Sequence, residues 1–308
     1  MQKFREQLRD KIFSLNLFLK SKKVRYLSIV GLLSKVLFIN FKEGFSIFSE
    51  HWDNLLILDA CRFDFFSAEI QRRQISGNLS YKLSRGSMTE EFLIKNFTEN
   101  YYSNIVYVTA NPFVDLVLKE KVYKIIPVWK YAWDKYLKTV PPYKVCKFAL
   151  KAKKKYPDKK IIIHFMQPHY PFIGFSFKKE TGISEMVSAI NNKNRCWMDI
   201  DIWDLFFDGA ITIEDIISGY KQNLKIVMNA VEDLIKNLDG KIVITSDHGE
   251  AFGEKLHRLV PLKVYGHPRR VKIKSLIKVP WFVIFKEKNL KHLKTVSRIR
   301  RVTSRFPV

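Results

Sequence analysis

The chain has 308 residues, 47% of them hydrophobic and 14% aromatic, which is enough apolar material for one large packed domain and excludes a disordered chain. Its formal net charge of +24 draws it to anions: nucleic acid, an acidic membrane surface, or a phosphorylated or sulfated substrate. Its three cysteines, Cys61, Cys146 and Cys196, are scattered and odd in number, which excludes a disulfide framework or a CxxC metal signature and suits a reducing compartment.

Residues 1–48 read as a basic helical appendage. Lys3, Arg5, Arg9, Lys11, Lys20, Lys22, Lys23, Arg25 and Lys35 stand there against Glu6 and Asp10. The start, MQKFREQLRDKIF, does not read as a signal peptide, because charges interrupt it before an apolar core forms. Within the appendage, YLSIVGLLSKVLFINF is broken by Lys35 and falls short of the roughly 18 unbroken apolar residues of a span. It reads as an amphipathic helix that docks on the protein or lies on a membrane face. The chain's end, KHLKTVSRIRRVTSR, is basic with no acid, so basic clusters at both ends suit an anionic lipid or polymer. The expectation is a cytoplasmic protein, peripheral at an anionic membrane surface. No aromatic-and-basic platform or docking motif stands out, so no specific nucleic-acid partner is expected. Oligomeric state has no signature.

Residues 49–308 read as the catalytic domain. NLLILDA (54–60) is a continuous apolar run that ends in an acid, as a strand buried on both faces does. NIVYVTANP (104–112), KKIIIHFMQPHYPF (159–172) and GKIVITSDHGE (240–250) repeat that form. TEEFLIKNF opens like a helix, with Thr and two acids. TIEDIISGYKQNLKIVMNAVEDLIKNLDG has helical apolar spacing, with Gly240 as its stop. Alternating strands and helices predict an α/β fold with a parallel sheet covered on both faces. The stretch 173–211 has no clear period and reads as a lid or specificity insertion.

In such sheets ligands bind beyond the carboxyl ends of the strands. Asp59, His169 and the pair Asp247–His248 all follow predicted strands, so the topology can bring them to one crevice. Two carboxylates and an imidazole suit a divalent cation such as Zn²⁺ or Mn²⁺. Such a cation activates a hydroxyl and polarises a phosphoryl or sulfuryl group. Ser87 and Thr89 offer hydroxyls just before a helix, where an anion is favoured. Taken alone, Thr89 reads first as a helix N-cap, and Ser87 is the weaker choice of nucleophile.

The order LDACRFD, SRGSMTEEFL, MQPHYPF, TSDHGEAFGE, YGHP, over about residues 52–285, resembles the alkaline phosphatase superfamily, and most of all its sulfatase-like branch. That branch is seen in prokaryotic enzymes of surface glycans and lipid headgroups. The resemblance implies a mostly parallel central sheet with helices on both faces, and a divalent metal ion (Zn, Mn, Mg or Ca). It implies that Asp59, Asp247, His248 and Thr89 hold the metal and that Thr89 is the nucleophile, with Ser87 as the alternative. His169 and His267 match histidines that contact the substrate anion or a second metal. Arg62 sits where it orients Asp59 or binds an oxyanion; an ion pair with Asp64 is the other reading. No cysteine lies in the C-x-P-x-R pattern of formylglycine sulfatases, so a Thr nucleophile points to phosphate rather than sulfate esters. No carboxylate neighbours His169 in sequence, so one strong metal site is expected, with a weaker second one at His169 and His267. His164 and His257 are extra candidates; His164 precedes an aromatic in a strand and reads more readily as a core histidine. The expected function is hydrolysis or transfer of an anionic ester through a covalent Thr intermediate. The alternative is a non-catalytic polyanion- or membrane-binding protein of the same fold.

Overall fold

The computed structural model describes residues 21–39, 43–175 and 201–287. A seven-stranded sheet forms the centre. In chain order its strands are β1 (Asn54–Leu58), β2 (Asn78–Leu83), β3 (Tyr102–Thr109), β4 (Val122–Pro127), β5 (Lys160–Phe165), β6 (Gly240–Thr245) and β9 (Lys278–Lys286), and in space they lie β2-β9-β6-β1-β5-β3-β4. The four predicted strands are β1, β3, β5 and β6, and they occupy the middle. β1 pairs in parallel with β5 and β6, and β3 in parallel with β5 and β4. β9 runs antiparallel to both β6 and β2.

Every residue of β1 is buried, and its side chains alternate between two cores. Leu56 and Leu58 face one cluster, with Phe66 and Ile70 of α2 (Phe63–Arg73), Val145 and Ala149 of α6 (Pro142–Lys155), and Val227 and Val231 of α8 (Ile213–Lys236). Leu55 and Ile57 face the other, with Phe92 and Leu93 of α3 (Thr89–Asn96), and Val114 and Leu118 of α4 (Phe113–Leu118). This double cover is why the central strands read as unbroken apolar runs. A short helix, α5 (Val128–Ala132), follows β4.

α8 is capped at Thr212, which exchanges hydrogen bonds with Asp215, and it ends at Lys236. Gly240, expected as the helix stop, opens β6 instead. Its φ is +77°, and a Cβ there would meet Asp53 Oδ2 at 2.5 Å.

A hairpin of β7 (Ala251–His257) and β8 (Val260–Gly266) follows the sheet and is succeeded by a single turn, α9 (Lys274–Ile277). The appendage helix, α1 (Lys22–Leu37), docks on this hairpin: Val30 is buried with Leu256 and Val264, and Tyr265 N–H donates to the Tyr26 hydroxyl at 2.8 Å. No helix among the described residues is long and apolar enough to cross a membrane. Of the predicted insertion, 176–200 lies outside the described residues, and the remainder includes α7 (Ile202–Phe207), with Asp201 in a capping box with Asp204.

Candidate active site

The carboxyl ends of β1, β3, β5 and β6 meet at one cleft. Asp59 leaves β1, and Ala60 behind it takes a left-handed backbone, φ 58°, which aims its N–H at Asp247 Oδ1 at 3.1 Å. Strained backbone of this kind persists where the surroundings over-determine it. Asp247 and His248 leave β6. Gly249 follows them because nothing larger fits: a Cβ there would meet Ser275 O at 2.0 Å. Asn111 leaves β3. His169 sits on the loop after β5, and buried Asn223 of α8 donates to the carbonyls of His169 and Pro171, each at 2.9 Å.

Thr89 is the first residue of α3, not its cap; that place is taken by Met88. Its Oγ1 donates to Asp247 Oδ2 at 2.7 Å and lies 3.4 Å from His248 Nε2. Asn111 Nδ2 donates to Asp59 Oδ2 at 2.6 Å and approaches Thr89 Oγ1 to 3.4 Å. His248 Nδ1–H donates to Gly249 O at 2.8 Å, which leaves Nε2 as the lone-pair nitrogen. That atom stands 3.4 Å from Asp247 Oδ2 and 3.7 Å from Asp59 Oδ1. Burial holds the His248 pKa below its usual value despite Asp247, so the ring is neutral, as a metal ligand must be. Burial pushes the Asp59 carboxyl upward, but His164 beside it and the His169 and His248 imidazoles outweigh burial and keep it ionised.

Three histidine and carboxylate side chains form a second group. His169, Glu250 and His267 place ligand atoms within 4.8 Å of one another. His267 Nδ1 donates to both Glu250 oxygens, at 3.1 and 3.0 Å. Burial alone would lower the His267 pKa; Glu250, with help from Asp59 and Asp247, overrides it and raises the value to about 9. The ring is therefore an imidazolium at neutral pH, 5.0 Å from the His169 ring and 4.7 Å from that of His248, centroid to centroid.

Six of the seven predicted site residues, Asp59, Thr89, His169, Asp247, His248 and His267, converge. Arg62 does not join them. Its guanidinium is held by Asp64, at 3.0 and 2.7 Å, and by Glu254 at 2.5 Å, and it donates to Glu250 O at 3.2 Å. The ion-pair reading of Arg62 is thus the one realised. Ser87 is fully buried, with its hydroxyl between Glu91 Oε2 and Pro268 O. His257 lies along β7, where it accepts from Leu259 N–H. Cys61 and Cys146 are buried, and burial pushes both thiols up. The sequence reading missed Asn111 and Glu250, and named His164 only as an extra candidate. His164 is buried on β5, 3.0 Å from the Tyr107 hydroxyl by Nδ1, with Nε2 3.6 Å from Asp59 and 3.8 Å from Asp247. Glu250 was legible as the last letter of SDHGE, but its partner His267 is supplied by the hairpin.

The cleft measures about 260 Å³. Its lining joins the polar Thr89, Asn111, His169 and His267 to an apolar wall of Met166, Phe172, Ile202, Trp203 and Phe252.

The sulfatase family model matches residues 67–305, a span that holds Thr89, His169, Asp247, His248 and His267 and begins after Asp59. No curated protein sequence matches the chain. Among solved structures, the integral membrane protein lipooligosaccharide phosphoethanolamine transferase A from Neisseria meningitidis is similar at a TM-score of 0.52 and 12% identity, over 94% of this chain and 59% of that one. The soluble domain of the same transferase gives 0.48 and 13%, over 78% and 77% of the two chains. The C-terminal periplasmic domain of phosphoethanolamine transferase EptC from Campylobacter jejuni gives 0.46 and 15%, over 75% and 78%. At these identities the likeness is one of fold.

Proposed function

Because the chain belongs to the sulfatase family, within the alkaline phosphatase superfamily, and presents a threonine to its cleft, we propose that it is a metal-dependent phosphoesterase or phospho-group transferase with Thr89 as nucleophile. One observation carries this reading: the Thr89 hydroxyl lies 2.7 Å from Asp247 Oδ2 and 3.4 Å from His248 Nε2, at the start of a helix and open to the cleft.

A divalent cation fits the residues present. Asp59 and Asp247 are two carboxylates buried almost completely, and such a pair is costly without a compensating charge. Asp59 Oδ1 and His164 Nε2 are buried with no hydrogen-bond partner. Asp59, Asp247, His248 and Thr89 Oγ1 would hold the cation; mixed oxygen and nitrogen donors suit Zn²⁺ or Mn²⁺. His169, Glu250 and His267 would hold a second cation only once His267 had lost its ring proton, which excludes the acid role of the imidazolium. A cation held at the first set supplies Lewis acidity, drawing electron density from Thr89 Oγ1 and from the phosphoryl oxygens.

The remaining steps belong to the chain's own groups. Thr89 Oγ1 attacks phosphorus in line as its hydroxyl proton passes to Asp247 Oδ2, to which it already donates. Asn111 holds Asp59 in register. The free N–H groups of the first turn of α3 face the phosphoryl oxygens. The His267 imidazolium neutralises their charge and donates a proton to the departing alcohol oxygen as the P–O bond breaks. Water or an acceptor hydroxyl then displaces Thr89 from phosphorus by the reverse route. Position 89 is Thr and both described cysteines are buried, which favours phosphate over formylglycine-dependent sulfate chemistry. The apolar wall suits the carbon skeleton of a lipid or the face of a sugar ring.

The test pairs metal analysis with rates on phosphate monoesters, phosphate diesters and sulfate esters. Bound divalent metal, and phosphate-ester cleavage that stops on chelation and returns with Zn²⁺ or Mn²⁺, is expected. A folded protein that retains no metal and cleaves no ester refutes the reading in favour of a non-catalytic member of the fold.

A further inference from the structure

Helix α1 is apolar on two adjoining faces, about a quarter-turn apart. Its inner face packs Tyr26, Val30, Leu33 and Leu37 against the β7–β8 hairpin. Its outer face leaves Ile29, Leu32 and Val36 exposed at 51%, 68% and 72%, and Ile39, just past its end, at 77%. The spacing 29, 32, 36 puts these side chains on one stripe. A single exposed leucine needs no explanation, but a continuous stripe marks a surface that something covers.

The surroundings of the stripe indicate what covers it. Lys22 and Lys35 are exposed and, at about 100° per residue, flank the stripe on either side. α1 contains no Asp or Glu. Neither lysine is paired with a carboxylate among the described residues. The chain before α1 adds Lys3, Arg5, Arg9, Lys11 and Lys20 against Glu6 and Asp10. A second copy of a chain with net charge +24 would bring like charge to this face. An anionic bilayer instead offers acyl chains to the aliphatic stripe and headgroup phosphates to the lysines.

We infer that the outer face of α1 is a docking surface for an anionic lipid bilayer. The 16-residue helix, about 24 Å long, lies in the plane of the interface. Lys23, from the same helix, lines the cleft and pairs with Asp201 at 2.6 Å and Asp204 at 2.8 Å. Docking on the stripe leaves these ion pairs undisturbed, because Lys23 projects from the far side of the helix. Such docking does not depend on the catalytic reading.

The experiment is co-sedimentation of the full chain with vesicles of equimolar phosphatidylglycerol and phosphatidylcholine, against pure phosphatidylcholine, with light scattering of the free protein. Wild type is expected to bind the anionic vesicles at least about tenfold more tightly than the neutral ones, a lysine near the surface being worth about fivefold. Ile29→Glu/Leu32→Glu/Val36→Glu is expected to lose that binding while its melting temperature and any ester cleavage stay at wild-type values, because the inner face of α1 is untouched. Lys22→Gln and Lys35→Gln should each weaken binding by about fivefold. Wild-type binding by the triple variant overturns the proposal. So does failure of wild type to bind anionic vesicles, or a wild-type dimer that the triple variant splits.

Discussion

Thr89→Val separates the chemistry of the site from its stability. Valine keeps the shape and the γ-methyl contacts of the buried side chain and removes only the hydroxyl. Asp247 Oδ2 then loses its donor at 2.7 Å, but Oδ1 keeps the N–H groups of Ala60 at 3.1 Å and His248 at 3.0 Å. A hydrogen bond to a charged acceptor is worth about 1.5–3 kcal/mol, and at about 2–4 °C per kcal/mol the melting temperature falls by roughly 3–12 °C. Total stability is of the order of 5–15 kcal/mol, so the variant stays folded. Removal of the nucleophile should lower turnover by about a thousandfold or more, or about 4 kcal/mol of barrier. Thr89→Ser restores the hydroxyl on a side chain less restricted about χ1 and should recover all but about tenfold of the rate. The assay is release of p-nitrophenolate from bis(p-nitrophenyl) phosphate with Zn²⁺ or Mn²⁺ present, alongside thermal melts and mass-spectrometric detection of Thr89 carrying the p-nitrophenyl phosphoryl group. A Val variant within tenfold of wild type, or a Ser variant as inactive as the Val one, refutes the assignment.

Other outcomes follow from the same geometry. Asn111→Leu removes the 2.6 Å hydrogen bond that orients Asp59; metal affinity, read by competition with a chromogenic chelator, should fall about 10–100-fold. Ser87→Ala should stay within about threefold of wild-type turnover, because that hydroxyl is committed to Glu91 and Pro268 O, and lose about 1 kcal/mol in denaturant melts. The Glu250–His267 pair gives chelator-treated protein a pH-dependent stability. His267 is raised to about 9 against an ordinary 6.5, so its contribution is complete below pH 6.5 and is lost as pH rises through about 9. Burial alone would raise the Glu250 carboxyl, but His267, aided by His169 and His248, holds it below its ordinary 4.5, so its contribution is present above pH 4.5 and is lost as pH falls through the lower folded value. The melting-temperature gap between wild type and Glu250→Gln should thus be widest between pH 4.5 and 6.5 and close by about pH 10. A gap independent of pH contradicts the pairing.

The central strands were legible because burial on two faces leaves a local mark: an unbroken apolar run ending in a polar residue, as at Leu58–Asp59 and Thr245–Ser246–Asp247. The same topology explains why residues scattered from 59 to 267 could be expected to meet. β7 and β8 left no such mark, because their burial is mixed with exposed positions. Every residue of the edge strand β2 is half-buried or exposed, so it too lacks an apolar run.

The sequence by itself determined the residue types and their order: a threonine opening a helix, an acid closing the first strand, an Asp–His pair closing the sixth, and a basic helix at the start of the chain. Only the tertiary structure decided which groups meet at the cleft. Arg62 and Ser87 were also candidates by sequence, and packing bound one to Asp64 and Glu254 and sealed the other under Glu91 and Pro268. Glu250 joined His169 across 81 positions, the difference of their numbers, where neighbours in sequence offered no carboxylate. Hydrogen bonds and ion pairs form through space, at distances set by how strands and loops stack, and that stacking is a property of the whole chain.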